Sequence, residues 1–219
     1  MANILVIGAG VMGTTMTIPA TDNGHKSTIV GTPLDQELIK NIKEKSYHPK
    51  LDVNLIDTIG KNYNEVTQND FDQSELIIIS VSSKGITWFI DFIKNFKVEK
   101  KDFLIITKGL YINDKKKLDI LPNKLQKCIN QDIDITAVTG PCKAIELAHK
   151  NITNICFVNE EIDTAIRLSK IFKNNYYLIQ TQNDLIGSEV CAALKNIYAI
   201  ALGYSQVHYS NKEKIFNPE

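Results

Sequence analysis

The sequence predicts a doubly wound α/β fold on a mainly parallel sheet, and three observations predict it. Short, almost wholly apolar runs recur at residues 3–7 (NILVI), 75–81 (ELIIISV) and 103–106 (FLII), as expected of strands covered on both faces. Helix-length segments separate such runs, giving the strand–helix alternation of a parallel sheet. The first run ends on a glycine-rich turn, Gly8-Ala9-Gly10-Val11-Met12-Gly13, which opens a helix.

The elements follow in order. Residues 12–23 read as a helix that Pro19 kinks or ends early. Residues 27–30 (STIV) form a second strand and 34–45 a polar, amphipathic helix. Residues 46–74 are less regular, with Pro49, Gly60 and several Asn, and a short strand is expected near 63–67. Strand 75–81 leads to helix 85–95, and strand 103–106 ends at Thr107-Lys108-Gly109. Helix 115–127 is expected next, interrupted near Pro122. Strand 135–138 passes through Gly140-Pro141-Cys142 into helix 143–150. Strand 153–158, helix 161–173 and strand 176–180 complete the alternation. Residues 184–203 read as one long apolar helix, with a polar tail at 205–219. The expected division is a first domain over 1–182 and, over 183–219, the first helix of an all-α domain that stops almost at once.

Composition narrows the function classes. Hydrophobic residues make up 43% of the 219 and charged residues 23%, which excludes a disordered chain and a disulfide mini-protein. The 25 basic and 25 acidic residues cancel, so nothing global draws nucleic acid or an anionic membrane surface. The four cysteines, at 128, 142, 156 and 191, have no C-x-x-C spacing; a reducing, cytoplasmic setting is the expectation. No basic residue precedes the first apolar run, and Gly8 and Gly10 break it early, unlike a signal peptide. No run of about 18 apolar residues occurs, so no membrane span is expected.

The glycine turn carries the first chemistry. It fits G-x-G-x-x-G directly after a strand and at the start of a helix, the context that gives the pattern meaning. Gly8 permits the tight turn, Gly10 lets a pyrophosphate approach the backbone, and Gly13 allows helix and strand to pack closely. The helix N-terminus then offers free N–H groups to phosphate. A dinucleotide is therefore expected along Gly8–Gly13, in a Rossmann-type sheet. An acidic residue is expected about 20 positions further on, to hold the ribose. Here the second strand ends at Val30-Gly31-Thr32, and the nearest acid, Asp35, reads more naturally as a helix cap. Without an arginine there for a 2′-phosphate, NAD is preferred, with NADP left open.

Two lysines stand out. Lys108 follows a buried strand, at the sheet's carboxyl end where ligands bind. Lys195 and Asn196 alone interrupt the apolar run from Val190 to Leu202. A helix apolar all round is buried, and burial lowers an ammonium's pKa toward that of a useful proton donor. Cys142 reads as a packing thiol. Histidines 25, 48, 149 and 208 have no metal-ligand spacing, so no metal is expected.

Five segments together resemble the N-terminal part of NAD(P)-dependent glycerol-3-phosphate dehydrogenase, in order and rough spacing. They are Gly8–Gly13, Ser80-Val81-Ser82-Ser83, Thr107-Lys108-Gly109, Gly140-Pro141-Cys142-Lys143-Ala144-Ile145-Glu146 and Cys191-Ala192-Ala193-Leu194-Lys195-Asn196. The resemblance implies interconversion of sn-glycerol 3-phosphate and dihydroxyacetone phosphate, supplying glycerol phosphate for phospholipids. It implies that Lys195 is the general acid, that Asn196 orients substrate and that Lys108 contacts and polarises it. It assigns cofactor to Gly8, Gly10, Val11, Met12, Gly13, Thr32, Ser82, Lys108 and Ala144. It assigns substrate to Lys108, Gly140, Lys195 and Asn196.

Some positions depart from that pattern. Cys142 stands where serine is usual, and Lys143 where an aromatic or histidine is. The family's later Asp, Thr and Arg-Asn pair, which complete the phosphate site, have no match here. Two related dehydrogenase classes fit less well: ketopantoate reductases show Asn-Gly where this chain has Lys108-Gly109, and hydroxyisobutyrate-type enzymes separate the lysine and asparagine that are adjacent here. The alternative is a catalytically incomplete NAD-binding fragment, or half of a split enzyme that pairs with a C-terminal chain or forms a homodimer.

Overall fold

The computed structural model describes residues 1–129 and 131–209. The chain begins β1 (Asn3–Ile7), α1 (Val11–Asp22), β2 (Lys26–Gly31), α2 (Gln36–Lys45), β3 (Tyr47–His48), β4 (Val53–Asn54), β5 (Thr58–Asn62), α3 (Gln68–Gln73) and β6 (Leu76–Ile79). It continues with α4 (Ile86–Ile93), β7 (Lys101–Ile105), β8 (Leu110–Ile112), β9 (Leu118–Ile120), α5 (Leu121–Ile129) and β10 (Ile133–Thr139). It ends with α6 (Ala144–Ala148), β11 (Thr153–Val158), α7 (Ile162–Phe172), β12 (Tyr177–Gln182) and α8 (Leu185–Tyr209).

One eight-stranded sheet runs β12-β11-β10-β7-β6-β1-β2-β5. Its pairings are parallel except β10 with β11. The period-two pattern of the central strands explains why both faces are covered. Ile4 and Val6 of β1, with Leu76 and Ile78 of β6, enter one apolar cluster. Leu5 and Ile7, with Ile77 and Ile79, enter the cluster on the other face. Each such side chain, fully buried, contributes about 1.5–3 kcal/mol. Strand order reverses between β1 and β6, whose carboxyl ends form the crevice where open α/β sheets bind ligands.

The structure corrects several expected elements. Pro19 lies inside α1, which runs on to Asp22. Its threonines bond back to the chain: Thr17 Oγ1 donates to Thr14 O at 2.8 Å and Thr21 Oγ1 to Ile18 O at 3.1 Å. The strand expected near 63–67 is instead β5, ending at Asn62. There the Asn62–Glu65 capping box turns residues 63–65 into a 3-10 helix. The helix expected over 115–127 is in part the hairpin β8–β9. Its turn is tied by Asn113 Oδ1, which accepts from the Lys115 and Lys117 N–H groups at 3.0 and 3.1 Å. Pro122 lies in the first turn of α5, where its missing N–H costs nothing.

The long apolar helix is present as α8 and extends to Tyr209, but it is not buried. Leu185 and Glu189 are its buried residues, while Ile197, Ile200 and Leu202 are 62%, 73% and 59% exposed. Of the expected tail, 210–219 lies outside the described residues. Among the described residues, α8 is the one helix long and apolar enough to cross a membrane by length and composition.

Candidate functional site

The turn after β1 is braced from inside the chain. Gly8 has φ +113°, and a Cβ there would sit 2.6 Å from Ser80 O. A Cβ on Gly13 would meet Gly8 O and Ser80 Oγ, both at 2.5 Å. These two positions require glycine for reasons internal to the fold. Gly10 differs: a Cβ there meets no protein atom within 4 Å. It is also the N-cap of α1, whose first turn carries no acidic residue, so the helix's free N–H groups keep their partial positive charge.

Two residues hold the Ala9 peptide, one expected only as a helix cap and the other given no role by the sequence. Asp35 is the N-cap of α2 by position, but its side chain makes no capping bond. Its Oδ2 instead accepts from Thr32 N–H at 2.9 Å, Thr32 Oγ1 at 2.7 Å and Ala9 N–H at 3.4 Å. His48 is fully buried. Its Nδ1 accepts from Leu51 N–H at 3.2 Å, so its Nε2 carries the proton and donates to Ala9 O at 3.2 Å. Burial holds the imidazole below its ordinary pKa, keeping it neutral. No local signal marks either contact, since the partners lie 26 and 39 residues away.

Three cavities follow the carboxyl ends of the strands. The first, about 490 Å³, is lined by Gly8, Gly10, Thr32, Asp35, Ser82 and Trp88 among others. A smaller one of about 200 Å³ touches Met12, Ser82, Thr107 and Lys108. The third, about 490 Å³, is lined by residues including Lys108, Gly140, Ser188, Cys191 and Lys195. Lys108 thus borders both the cavity near the glycine turn and the one that holds Lys195. Its Nζ donates to Gly140 O at 3.3 Å. Burial first, and then the Lys195 charge, lower its pKa.

Most of the expected site residues therefore converge. Val11, Gly13, Ala144 and Asn196 line none of these three cavities. Gly13 packs α1 on Ser80, and the Ala144 carbonyl accepts from Thr15 Oγ1 at 3.2 Å. The desolvated setting expected for Lys195 is not found. Lys195 and Asn196 are exposed, because nothing in the described chain packs on α8 beyond its first turns. Cys142 is half-buried against the core, and burial pushes its thiol up, away from the reactive thiolate. Arg167 pairs Asp102 at 2.7 and 3.0 Å. Asp102 sits near the start of β7, so this arginine lies at the sheet end opposite the site. Among the described residues no cluster of His, Cys, Asp and Glu has metal-binding geometry.

Comparison with known proteins decides the family. A family model described as the NAD-dependent glycerol-3-phosphate dehydrogenase N-terminus matches residues 3–165. The chain belongs to this family. The NADP(+)-dependent glycerol-3-phosphate dehydrogenase of Archaeoglobus fulgidus is 29% identical over 210 residues, covering 95% of this chain and 62% of the relative. The glycerol-3-phosphate dehydrogenase [NAD(P)+] of Geobacillus kaustophilus is also 29% identical, over 94% of this chain and 59% of its own length. The chain thus spans about three fifths of the glycerol-3-phosphate dehydrogenases it matches. Among solved structures, the Plasmodium falciparum enzyme superposes with TM-score 0.81 at 20% identity, covering 93% of this chain and 58% of that one. The Coxiella burnetii glycerol-3-phosphate dehydrogenase gives 0.78, also at 20% identity, with 93% and 61% covered. These likenesses establish the doubly wound fold.

Proposed function

We propose that this chain binds NAD(P)(H) along the β1–α1 turn and forms the cofactor half of a glycerol-3-phosphate dehydrogenase. The observation that carries the reading is Gly10. Gly8 and Gly13 are glycine because the fold needs them, whereas the protein itself leaves Gly10 free to bear a side chain. A pyrophosphate lying against the backbone supplies the missing reason. Thr32, Ser82 and Trp88 line the same cleft. Met12 and Lys108 continue the path toward the Lys195 cavity. When bound, the nicotinamide gives or takes the hydride at the substrate carbon. Lys195, with Asn196 beside it, would hand the proton to the ketone oxygen of dihydroxyacetone phosphate, while Lys108 and Gly140 hold and polarise that substrate.

The division into a cofactor domain over 1–182 and the beginning of a substrate domain over 183–219 fits this reading, since the sheet ends at Gln182. Asp35 lies in the cleft and no arginine does, which favours NAD over NADP. The exposed apolar surface of α8 supports the further proposal that the catalytic cavity is finished by a complementing C-terminal chain or a second copy. In the cell, a cytoplasmic role supplying glycerol phosphate to phospholipid synthesis fits the four unbridged cysteines.

The test is calorimetric titration of NADH into the wild-type chain and Gly10→Val. The variant is expected to fold, because a Cβ at Gly10 meets no protein atom within 4 Å, and to lose NADH affinity by about tenfold or more. Undiminished affinity in Gly10→Val would remove the turn as the cofactor site.

A further inference from the structure

His48 is a fully buried histidine that the proposed reaction leaves unused. It ends β3, 39 residues beyond the carbonyl it touches, and it lines none of the three cavities. Both ring nitrogens are committed. Nδ1 accepts from the Leu51 N–H at 3.2 Å, in the turn that joins β3 to β4. Nε2 lies 3.2 Å from Ala9 O, and a carbonyl only accepts, so Nε2 is the donor. A second donor to Ala9 O, Thr14 Oγ1 at 3.3 Å, belongs to α1 and travels with that helix. His48 instead ties the turn to the β3–β4 hairpin, against which α2 packs.

The carbonyl of Ala9 and the N–H of Gly10 belong to one planar trans peptide and point in opposite directions. His48 holds Ala9 O toward the interior, so the Gly10 N–H faces away from the imidazole, and Gly10 itself lines the cleft. That N–H finds no acceptor within the described residues. Gly10 has no side chain to restrain the peptide, and the open space at its Cβ position leaves the plane room to turn. The direction of the N–H is therefore set from behind, by what holds Ala9 O.

We infer that His48 is a positioning residue for the cofactor: through Ala9 O it aims the Gly10 N–H at the pyrophosphate. The inference rests on the reading of the β1–α1 turn as the cofactor site. It gives the hairpin beyond α2 a hold on the cofactor that involves no contact with it.

Two variants divide the functions of the ring. In His48→Gln the side-chain amide nitrogen falls near the place of Nε2 and can donate to Ala9 O. In His48→Asn the shorter amide reaches only the place of Nδ1, where it can serve Leu51 but not Ala9. Urea unfolding should find both variants less stable than wild type, and NADH calorimetry separates them. Affinity falls by about fivefold or more in His48→Asn, and His48→Gln recovers most of it. Equal losses in the two variants, in step with their stabilities, would reduce His48 to a packing residue and overturn the inference. Undiminished affinity in His48→Asn would overturn it too. Should the variants not fold, the wild-type chain serves. Its imidazole nitrogen NMR spectrum should show His48 protonated at Nε2, with that resonance shifting on saturation with NADH. A proton on Nδ1, or a resonance that NADH leaves in place, would overturn the inference. A wild-type chain that binds no NADH removes the cofactor reading and the inference together. Normal NADH binding that ignores the His48 donor removes the inference alone.

Discussion

The glycine turn and helix α8 carry the two halves of the proposed chemistry, and they differ in what supports them. The Ala9 peptide is held at its N–H by Asp35 and at its carbonyl by His48, and Gly8 and Gly13 fit closely against Ser80. Everything that shapes the turn comes from within the described chain. On α8 full burial stops at Glu189, Ala192 to Leu194 are half-buried, and from Ile197 on the large apolar side chains stand in solvent. The cofactor end is thus self-organised, whereas the environment that would tune Lys195 depends on what covers the helix. Exposed apolar surface of this kind marks an interface.

The comparison is broken most severely at Gly8. A side chain there meets backbone at 2.6 Å and has to adopt φ +113°, so no rotamer relieves it. Gly8→Val is expected to destabilise the chain by about 3 kcal/mol or more, measured by urea unfolding, and to abolish NADH binding. A stable Gly8→Val protein with intact affinity would mean that the turn is not the rigid element described.

The next largest effect concerns His48. Removing it in His48→Ala leaves Ala9 O with the Thr14 hydroxyl, at 3.3 Å, as its remaining side-chain donor and opens a cavity, a loss of about 2–4 kcal/mol. The sign with pH follows from the depressed pKa. The neutral imidazole contributes stability above the unfolded-state value of 6.5, and that stability is lost as pH falls toward the folded-state value. Denaturant midpoints should fall below pH 6.5 in the wild type and fall less in His48→Ala, where His25, also depressed by burial, still contributes an acid limb. An identical acid limb in both proteins would show that His48 is not the group responsible.

Legibility in the sequence follows the same divide between local and distant causes. The central strands and the Gly8–Gly13 turn were readable because their signals, apolar runs and glycine spacing, are local. The hairpin β8–β9 was hidden: its lysine-rich turn is made by the Asn113 side chain and by Lys116 at φ 57°, which a helix-like composition masks. Edge strand β5 was displaced because its residues are half-exposed and Gly60 interrupts them. Asp35 was read as a cap because the alternative partner, Ala9, is remote in sequence. Lys195 stands out by pattern, but the inference from an apolar helix to a buried lysine assumes a covering surface that the described chain does not supply.

The smallest expected effect is therefore the most discriminating. In the 219-residue chain, Lys195 is exposed, and Lys195→Ala should change stability by no more than about 0.5 kcal/mol and leave NADH affinity unaltered. The chain alone should oxidise NADH with dihydroxyacetone phosphate poorly, because Lys108 and Lys195 are the cations lining the cavity and positioning the substrate's phosphate needs a closed site. Supplying, as a second chain, the part of the Archaeoglobus fulgidus relative that lies beyond the matched region should cover α8 and raise turnover. A ketone reduced by hydride must gain a proton on oxygen, and a positioned acid accelerates this by about 10²–10⁴-fold. In the complemented protein, then, Lys195→Ala should cost a factor of that order in kcat with NADH affinity again unchanged. Robust turnover by the uncomplemented chain would show that α8 needs no cover. Unimpaired turnover by complemented Lys195→Ala would take the proton-donor role from this lysine. Partition of the wild-type chain into lipid vesicles, without complementation by protein, would assign the apolar face of α8 to a membrane instead.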